Sequence, residues 1–215
     1  MHDSVKNLIY IEDLVKSRVN HDKLLKIIAV SKTFPIENIL PLIEHGHLHF
    51  GENKVQEALD KWSDIKIDNH DIKLHLIGRL QTNKVRTALK IFDYIHSLDS
   101  EKLAIKIANE QAKKEKKPKI FIQVNIGNEE QKSGIDKKNL NDFYKFCKNL
   151  NLNIIGTMCI PPNDGNTEKY FSEMNDVNKE LNFKELSMGM SEDYVEAIKN
   201  NATYIRVGSK IFGSR

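Results

Sequence analysis

Eight short apolar runs, each followed by a stretch with helical spacing, are the feature that most restricts how this 215-residue chain can fold. The runs cover positions 27–31, 48–51, 74–78, 94–98, 120–126, 154–160, 186–188 and 204–207. Runs of this length, rich in β-branched residues, read as strands buried on both faces, as in parallel sheets. The intervening stretches carry helical stripes. Ile36, Ile39, Leu40 and Ile43 follow the i, i+3, i+4, i+7 rule, and Leu103 with Ile107 and Ala104 with Ala108 form another such stripe. Strand–helix alternation admits either a closed barrel or an open doubly wound sheet. The helices separate the two. Seven fit between the eight strands, and only 210–215 follows the last strand, too short for an eighth outer helix. A periodic stretch before the first strand (Val5, Leu8, Ile9, Glu12, Val15, Val19) can fill that place by covering the seam between strands one and eight. The expectation is an α/β fold: one (β/α)8 TIM-type barrel domain over 1–215, shorter than the about 250 residues typical of such barrels.

Composition limits the partners. Apolar residues make up 40% and charged residues 29%, ordinary for a globular protein. No apolar run approaches the roughly 18 to 20 residues needed to cross a bilayer. The first residues lack the basic-then-apolar order of a secretion signal, so a cytoplasmic location is expected. Cys147 and Cys159 show neither a CxxC nor a Cys/His ligand spacing and read as two small buried thiols. Net charge is only +3. The densest basic stretch, Lys113-Lys114-Glu115-Lys116-Lys117-Pro118-Lys119, closes a predicted helix, where cations suit the negative end of the helix dipole. A nucleic-acid surface would want a basic face interleaved with aromatics. Neither nucleic acid nor membrane is an expected partner, and nothing obvious supplies a large interface, so the expected state is a monomer.

In parallel α/β architectures ligands bind at the C-terminal ends of the strands. Strand one ends Ile28-Ala29-Val30-Ser31-Lys32-Thr33, and alternation puts Lys32 on the face of Ile28 and Val30, toward the barrel mouth. Apolar walls there would lower the lysine pKa and free its amine to form an imine with an aldehyde; a lysine simply leaving the strand for solvent is the commoner arrangement. Strand eight ends Arg206-Val207-Gly208-Ser209-Lys210, with Arg206 inward beside Tyr204 and, across the seam, beside Lys32. Amides of Gly208 and Ser209, with the serine hydroxyl, suit a phosphate where barrels often bind one; a tight turn with a structural arginine is the competing account. After strand seven, Ser191 reads either as the N-cap of a helix starting near Glu192 or, with Ser187 and Gly189, as an anion-binding loop. Asn53, in Gly51-Glu52-Asn53, reads as pocket wall or helix cap. The run His45-Gly46-His47-Leu48-His49 has no carboxylate or cysteine to complete a metal site, and none is expected there.

The segments Ala29-Val30-Ser31-Lys32, Gly51-Glu52-Asn53-Lys54-Val55-Gln56-Glu57, His75-Leu76-Ile77-Gly78-Arg79-Leu80-Gln81-Thr82-Asn83-Lys84, Lys132-Ser133-Gly134, Leu186-Ser187-Met188-Gly189-Met190-Ser191 and Arg206-Val207-Gly208-Ser209-Lys210-Ile211-Phe212-Gly213 occur in one order. In that order they resemble the pyridoxal phosphate homeostasis protein family, related in fold to the barrel domain of alanine racemase. The resemblance runs from about strand one to the end of the chain. It implies a pyridoxal 5′-phosphate cofactor held as a Schiff base on Lys32, with its phosphate near Ser191, Gly208 and Ser209. By analogy with alanine racemase, it implies Arg206 near the pyridine nitrogen, which would keep that nitrogen unprotonated and weaken the ring as an electron sink. The family usually carries Thr-Ala after Arg-x-Gly; Ser209-Lys210 stands here instead.

Two functions compete. In the first, the protein buffers pyridoxal phosphate, with delivery to apo-enzymes as its outward partner step. In the second, it is a pyridoxal phosphate enzyme such as an amino-acid racemase. Two-base racemisation wants a proton donor on each face of the cofactor. In alanine racemase a partner subunit's tyrosine serves the second face, and this sequence has no extra β domain to build that dimer. Lys32 has no convincing second base, so a binding protein rather than an enzyme is expected. A cofactor-free lysine aldolase would explain a barrel but not the placement of Arg206.

Overall fold

A computed structural model describes residues 1–18, 25–113, 117–129 and 133–213. Val19, Lys114 to Lys116, Lys132 and 214–215, which figure in the expectations above, lie outside the described residues. The order is α1 (Asp3–Arg18), β1 (Lys26–Val30), α2 (Ile36–Glu44), β2 (His49–Glu52), α3 (Val55–Asp68), β3 (Lys73–Leu76), α4 (Val85–Ile91), β4 (Tyr94–Leu98), α5 (Glu101–Gln111) and β5 (Lys119–Val124). It continues with α6 (Leu140–Asn149), β6 (Ile154–Cys159), α7 (Thr167–Glu180), β7 (Glu185–Ser187), α8 (Tyr194–Lys199), β8 (Tyr204–Val207) and α9 (Ser209–Phe212). Each strand pairs parallel with its neighbour, and β8 returns to β1, closing the barrel. Every expected strand is present, though β3 stops at Leu76 and β5 at Val124.

The N-terminal helix takes the vacant outer position. It packs against α9, α2 and α8, and Asn7 Nδ2 donates to the Ile211 carbonyl at 3.1 Å. Its buried face is Val5, Leu8, Ile11 and Val15, so Ile11 stands where the expected stripe had Glu12. In α2 the buried pair is Ile39 and Leu42, while Leu40 is 40% exposed. The expected stripe is off by part of a turn. At about 100° per residue Leu40 points a quarter-turn away from the face centred on Ile39, and Leu42 falls closer. The helix α5 ends at Gln111, ahead of the basic stretch, of which Lys113 pairs with Glu110 at 3.7 Å. Cys147 and Cys159 are both free and buried.

Alternation along the strands sorts side chains into two interiors. Ile27, Ala29, Phe50, Leu74, Leu76, Ile95, Ile205 and Val207 face outward into the layer under the helices. Ile28, Tyr94, Phe121, Met158 and Tyr204 face inward and form a separate cluster inside the barrel. The N-terminal end of the barrel carries an ion pair, Lys26 with Glu185 at 3.5 Å, and the Lys26 ammonium also lies 4.6 Å from the Tyr204 ring centre. The opposite end is open.

Candidate functional site at the barrel mouth

A cavity of about 650 Å³ opens at the C-terminal ends of the strands, within the range of small-molecule sites. Lys32, Asn53, Ser191, Arg206, Gly208 and Ser209 all line it, with Val30, Ile77 and Ile160 as apolar wall. Residues from β1, β2, β7 and β8 thus converge although they span most of the chain.

Lys32 stands two residues past the end of β1 and is half-buried. Both of its chain neighbours are tied down from α3. Glu57 Oε1 accepts the Thr33 amide at 2.7 Å, and Lys61 Nζ donates to the Ser31 carbonyl at 3.0 Å. Ser31 Oγ donates to Glu52 Oε1 at 2.7 Å, an atom that also accepts from Lys61 and Trp62, each at 3.0 Å. Thr33 has φ +67, a conformation that costs a β-branched residue strain and that these contacts maintain. The cavity lysine therefore stands on an over-determined piece of backbone.

Arg206 is 4% exposed, and its position corrects one expectation. In the seam register it stands opposite Ile28, four residues before Lys32, so the two share the cavity without being neighbours. Its Nη1 donates to Ser187 Oγ at 2.7 Å and its Nη2 to the Cys159 carbonyl at 3.0 Å. Burial pushes its pKa down from the ordinary value, but a guanidinium starts so high that the charge persists. A fixed cation forms the cavity floor.

The β7 loop is built differently from either reading above. Helix α8 starts at Tyr194, two residues past Glu192, with no side-chain cap from Ser191 or Asp193; Asp193 Oδ1 instead accepts the Met190 amide at 2.5 Å and closes the loop ahead of the helix. Ser191 Oγ instead accepts the Gly208 amide at 3.2 Å, which joins the two loops and leaves the serine proton for another acceptor. The Gly208 amide is engaged there rather than presented to the cavity. Ser187 does not belong to the loop at all; it ends β7, fully buried, with its hydroxyl inside the barrel. Gly189 is required: at φ +90 a Cβ would lie 2.5 Å from Ala197 Cβ. Ser209 opens α9, and Lys210 turns outward to lie 5.3 Å from the Tyr194 ring centre, away from the cavity. Phe212 stacks on Phe34 at 4.9 Å, folding the end of the described chain over the β1 loop.

Asn53 does not cap α3, whose first turn has no side-chain cap. Its buried Oδ1 has no hydrogen-bond partner among the described residues. A buried, unsatisfied carbonyl oxygen on a cavity wall is costly unless a ligand or water completes it. Gly78 lets this wall form, because a Cβ there would lie 2.3 Å from the Asn53 carbonyl oxygen. The described part of Lys132-Ser133-Gly134 lies elsewhere: Gln123 Nε2 donates to the Ser133 carbonyl at 3.0 Å, beside β5.

Sequence reading missed the polar line inside the barrel. His49 Nδ1 lies 2.9 Å from His75 Nε2, His75 Nδ1 lies 2.9 Å from His96 Nε2, and His96 Nδ1 lies 2.9 Å from Ser187 Oγ. Stacking holds the two inner rings, His75 on Tyr94 at 4.1 Å and His96 on Phe121 at 4.3 Å. Burial lowers the His49 pKa to about 4 and those of His75 and His96 well below the ordinary histidine value. The inward alternation of His49, His75 and His96 was a usable signal; their mutual contact was not. No cluster of three or more metal-ligating side chains occurs among the described residues.

Residues 13–215 match the family described as alanine racemase, N-terminal domain. The chain is 38% identical over 200 residues to the pyridoxal phosphate homeostasis protein of Aquifex aeolicus, covering 88% of this chain and 87% of that one. The chain belongs to the pyridoxal phosphate homeostasis protein family. The Escherichia coli K12 member is 31% identical over 230 residues, covering 100% of this chain and 98% of that one. PipY of Synechococcus elongatus, solved both without PLP and with PLP bound, is 33% identical; the PLP-bound form superposes with a TM-score of 0.87, covering 98% of this chain and 100% of its own. Alanine racemase of Clostridium difficile shares the fold at 13% identity and a TM-score of 0.75, with 57% of its longer chain covered.

Proposed function

We propose that the chain binds pyridoxal 5′-phosphate as a Schiff base on Lys32 and buffers it within the cell as a one-domain carrier, not as an enzyme. The observation that carries this reading is the meeting of Lys32, Arg206 and the Ser191–Gly208 loop pair around one cavity. The cofactor supplies an aldehyde, which condenses with a lysine amine with loss of water. The protein's part is to hold and orient. Lys32, on its braced backbone, presents the amine. Ser191 and Ser209 supply hydroxyl donors for the phosphate, with Gly208 setting the approach of the loop. Arg206 offers a permanent cation to the ring from the floor, and Asn53 offers an unsatisfied oxygen from the wall. Lys210 turns away, so the Ser209-Lys210 pair leaves the corner to the serine. Relatives that carry the homeostasis name and align over most of their length support buffering rather than turnover.

The test is an absorption spectrum of purified protein with pyridoxal phosphate before and after borohydride reduction, followed by peptide mapping. An imine band that reduction removes, with the label on Lys32 and none on Lys32→Ala protein, is the expected result. A label elsewhere, or an undiminished band in Lys32→Ala, would overturn the assignment. Rapid racemisation of single amino-acid enantiomers by the loaded protein would replace the carrier with the racemase reading.

A further inference from the structure

The polar line inside the barrel runs between two unlike ends. At one end is Arg206, whose guanidinium has five N–H donors and no acceptor. At the other is His49, half-buried near the N-terminal end of the barrel. Between them lie Ser187, His96 and His75, all fully buried. A neutral imidazole carries one donor and one acceptor, so a file of such rings has only two self-consistent arrangements, pointing in opposite directions. Burial keeps these rings neutral near pH 7.

Arg206 selects the direction. Because it can only donate, Ser187 Oγ accepts from Nη1. The serine proton then goes to His96 Nδ1, the other polar atom in contact with Oγ at 2.9 Å. His96 must carry its proton on Nε2 and donate to His75 Nδ1, and His75 in turn donates from Nε2 to His49 Nδ1. His49 is left with its proton on Nε2. The reverse arrangement would place two donors on Ser187 and strand its own proton in a buried site.

We propose that Ser187, backed by His96, His75 and His49, is a positioning residue for Arg206: by accepting from Nη1 it commits that N–H and leaves the remaining guanidinium N–H groups for a ligand at the cavity floor, and the same donation runs the hydrogen-bond chain one way and fixes all three rings as Nε2–H tautomers. Stacking of His75 on Tyr94 and of His96 on Phe121 resists the ring rotation that would break the file. The ligand's identity rests on the function proposed above; the tautomers do not.

The experiment is long-range ¹⁵N–¹H correlation spectroscopy on histidine-labelled full chain at pH 7, with pyridoxal phosphate affinity measured in parallel. All three rings are expected as Nε2–H. Ser187→Ala is expected to scramble the tautomers of His96 and His75 and to weaken pyridoxal phosphate binding by about tenfold, the scale of one lost orienting hydrogen bond. His49→Gln, at the far end, is expected to leave the His96 and His75 tautomers as they were, because direction is set from Arg206; this variant keeps the test open should Ser187→Ala fail to fold. A wild-type ring in the Nδ1–H or doubly protonated form overturns the chain, as does a His96 tautomer that follows His49→Gln. Scrambled tautomers with unchanged affinity overturn the positioning role. Wild-type protein that binds no pyridoxal phosphate sinks the proposed function and leaves the tautomer result standing.

Discussion

The same strands face two regions of opposite chemistry. Toward the helices, β2 presents Phe50, which packs on Trp62 at 4.9 Å, β3 presents Leu74 and Leu76, and β8 presents Ile205 and Val207. Toward the barrel axis, these strands present His49, His75, Tyr204 and Arg206. The outer layer is apolar packing that any well-filled set of side chains of similar volume could supply. The inner one is a hydrogen-bonded file in which each member's proton position depends on the next. Stability should therefore be concentrated in the outer layer, and specific geometry in the inner one.

The largest effect should come from breaking the outer layer. Trp62→Ala removes a fully buried indole and the donor to Glu52, and should cost about 3–5 kcal/mol in a denaturant melt. Trp62→Phe, which keeps most of the volume, should recover the greater part; equal losses would mean that the Glu52 hydrogen bond, not packing, dominates there.

Acid should discriminate against the inner region. His49 has a pKa lowered by burial to about 4, and burial holds those of His75 and His96 well below the ordinary histidine value. The unfolded chain therefore takes up protons first. Stability is complete above about pH 6.5 and falls as pH drops toward 4, each ring contributing at most about 1.4 kcal/mol per pH unit. His75→Phe, able to keep the stack on Tyr94, should flatten this slope by about one proton. An unchanged slope would show that other groups carry the acid response.

The smallest effect belongs to the surface. Leu40→Gln, at a position that helical spacing alone assigns to the core, should change stability by no more than about 0.5 kcal/mol, and a larger loss would contradict its outward placement.

Much of the site was legible beforehand because it follows local rules. Lys32 comes two residues past a strand on which Ile28 faces the barrel interior and Val30 lines the cavity, and period-two alternation carries that direction forward. Ser191, Gly208 and Ser209 lie just after strands, where a parallel barrel gathers its ligands. Ser187 falls inside the expected run 186–188, yet it also groups with the loop that follows, because nothing local shows that its hydroxyl meets His96 and Arg206 inside the barrel. The partner of the Ser191 hydroxyl was missed because it lies on a different strand's loop.

By itself, the amino-acid sequence determined the eight strands, the parallel barrel they close, the helix that covers the seam and the lysine at the mouth. Each depends on spacing within a few residues, and burial enforces such spacing directly. Only the tertiary structure decided that Arg206 lies opposite Ile28, that Ser187 and His96 meet across 91 positions of chain, and that three histidines form a file. Those contacts depend on how strands stagger around a closed barrel, and a one-residue change of register would turn every inward side chain outward without altering any local pattern.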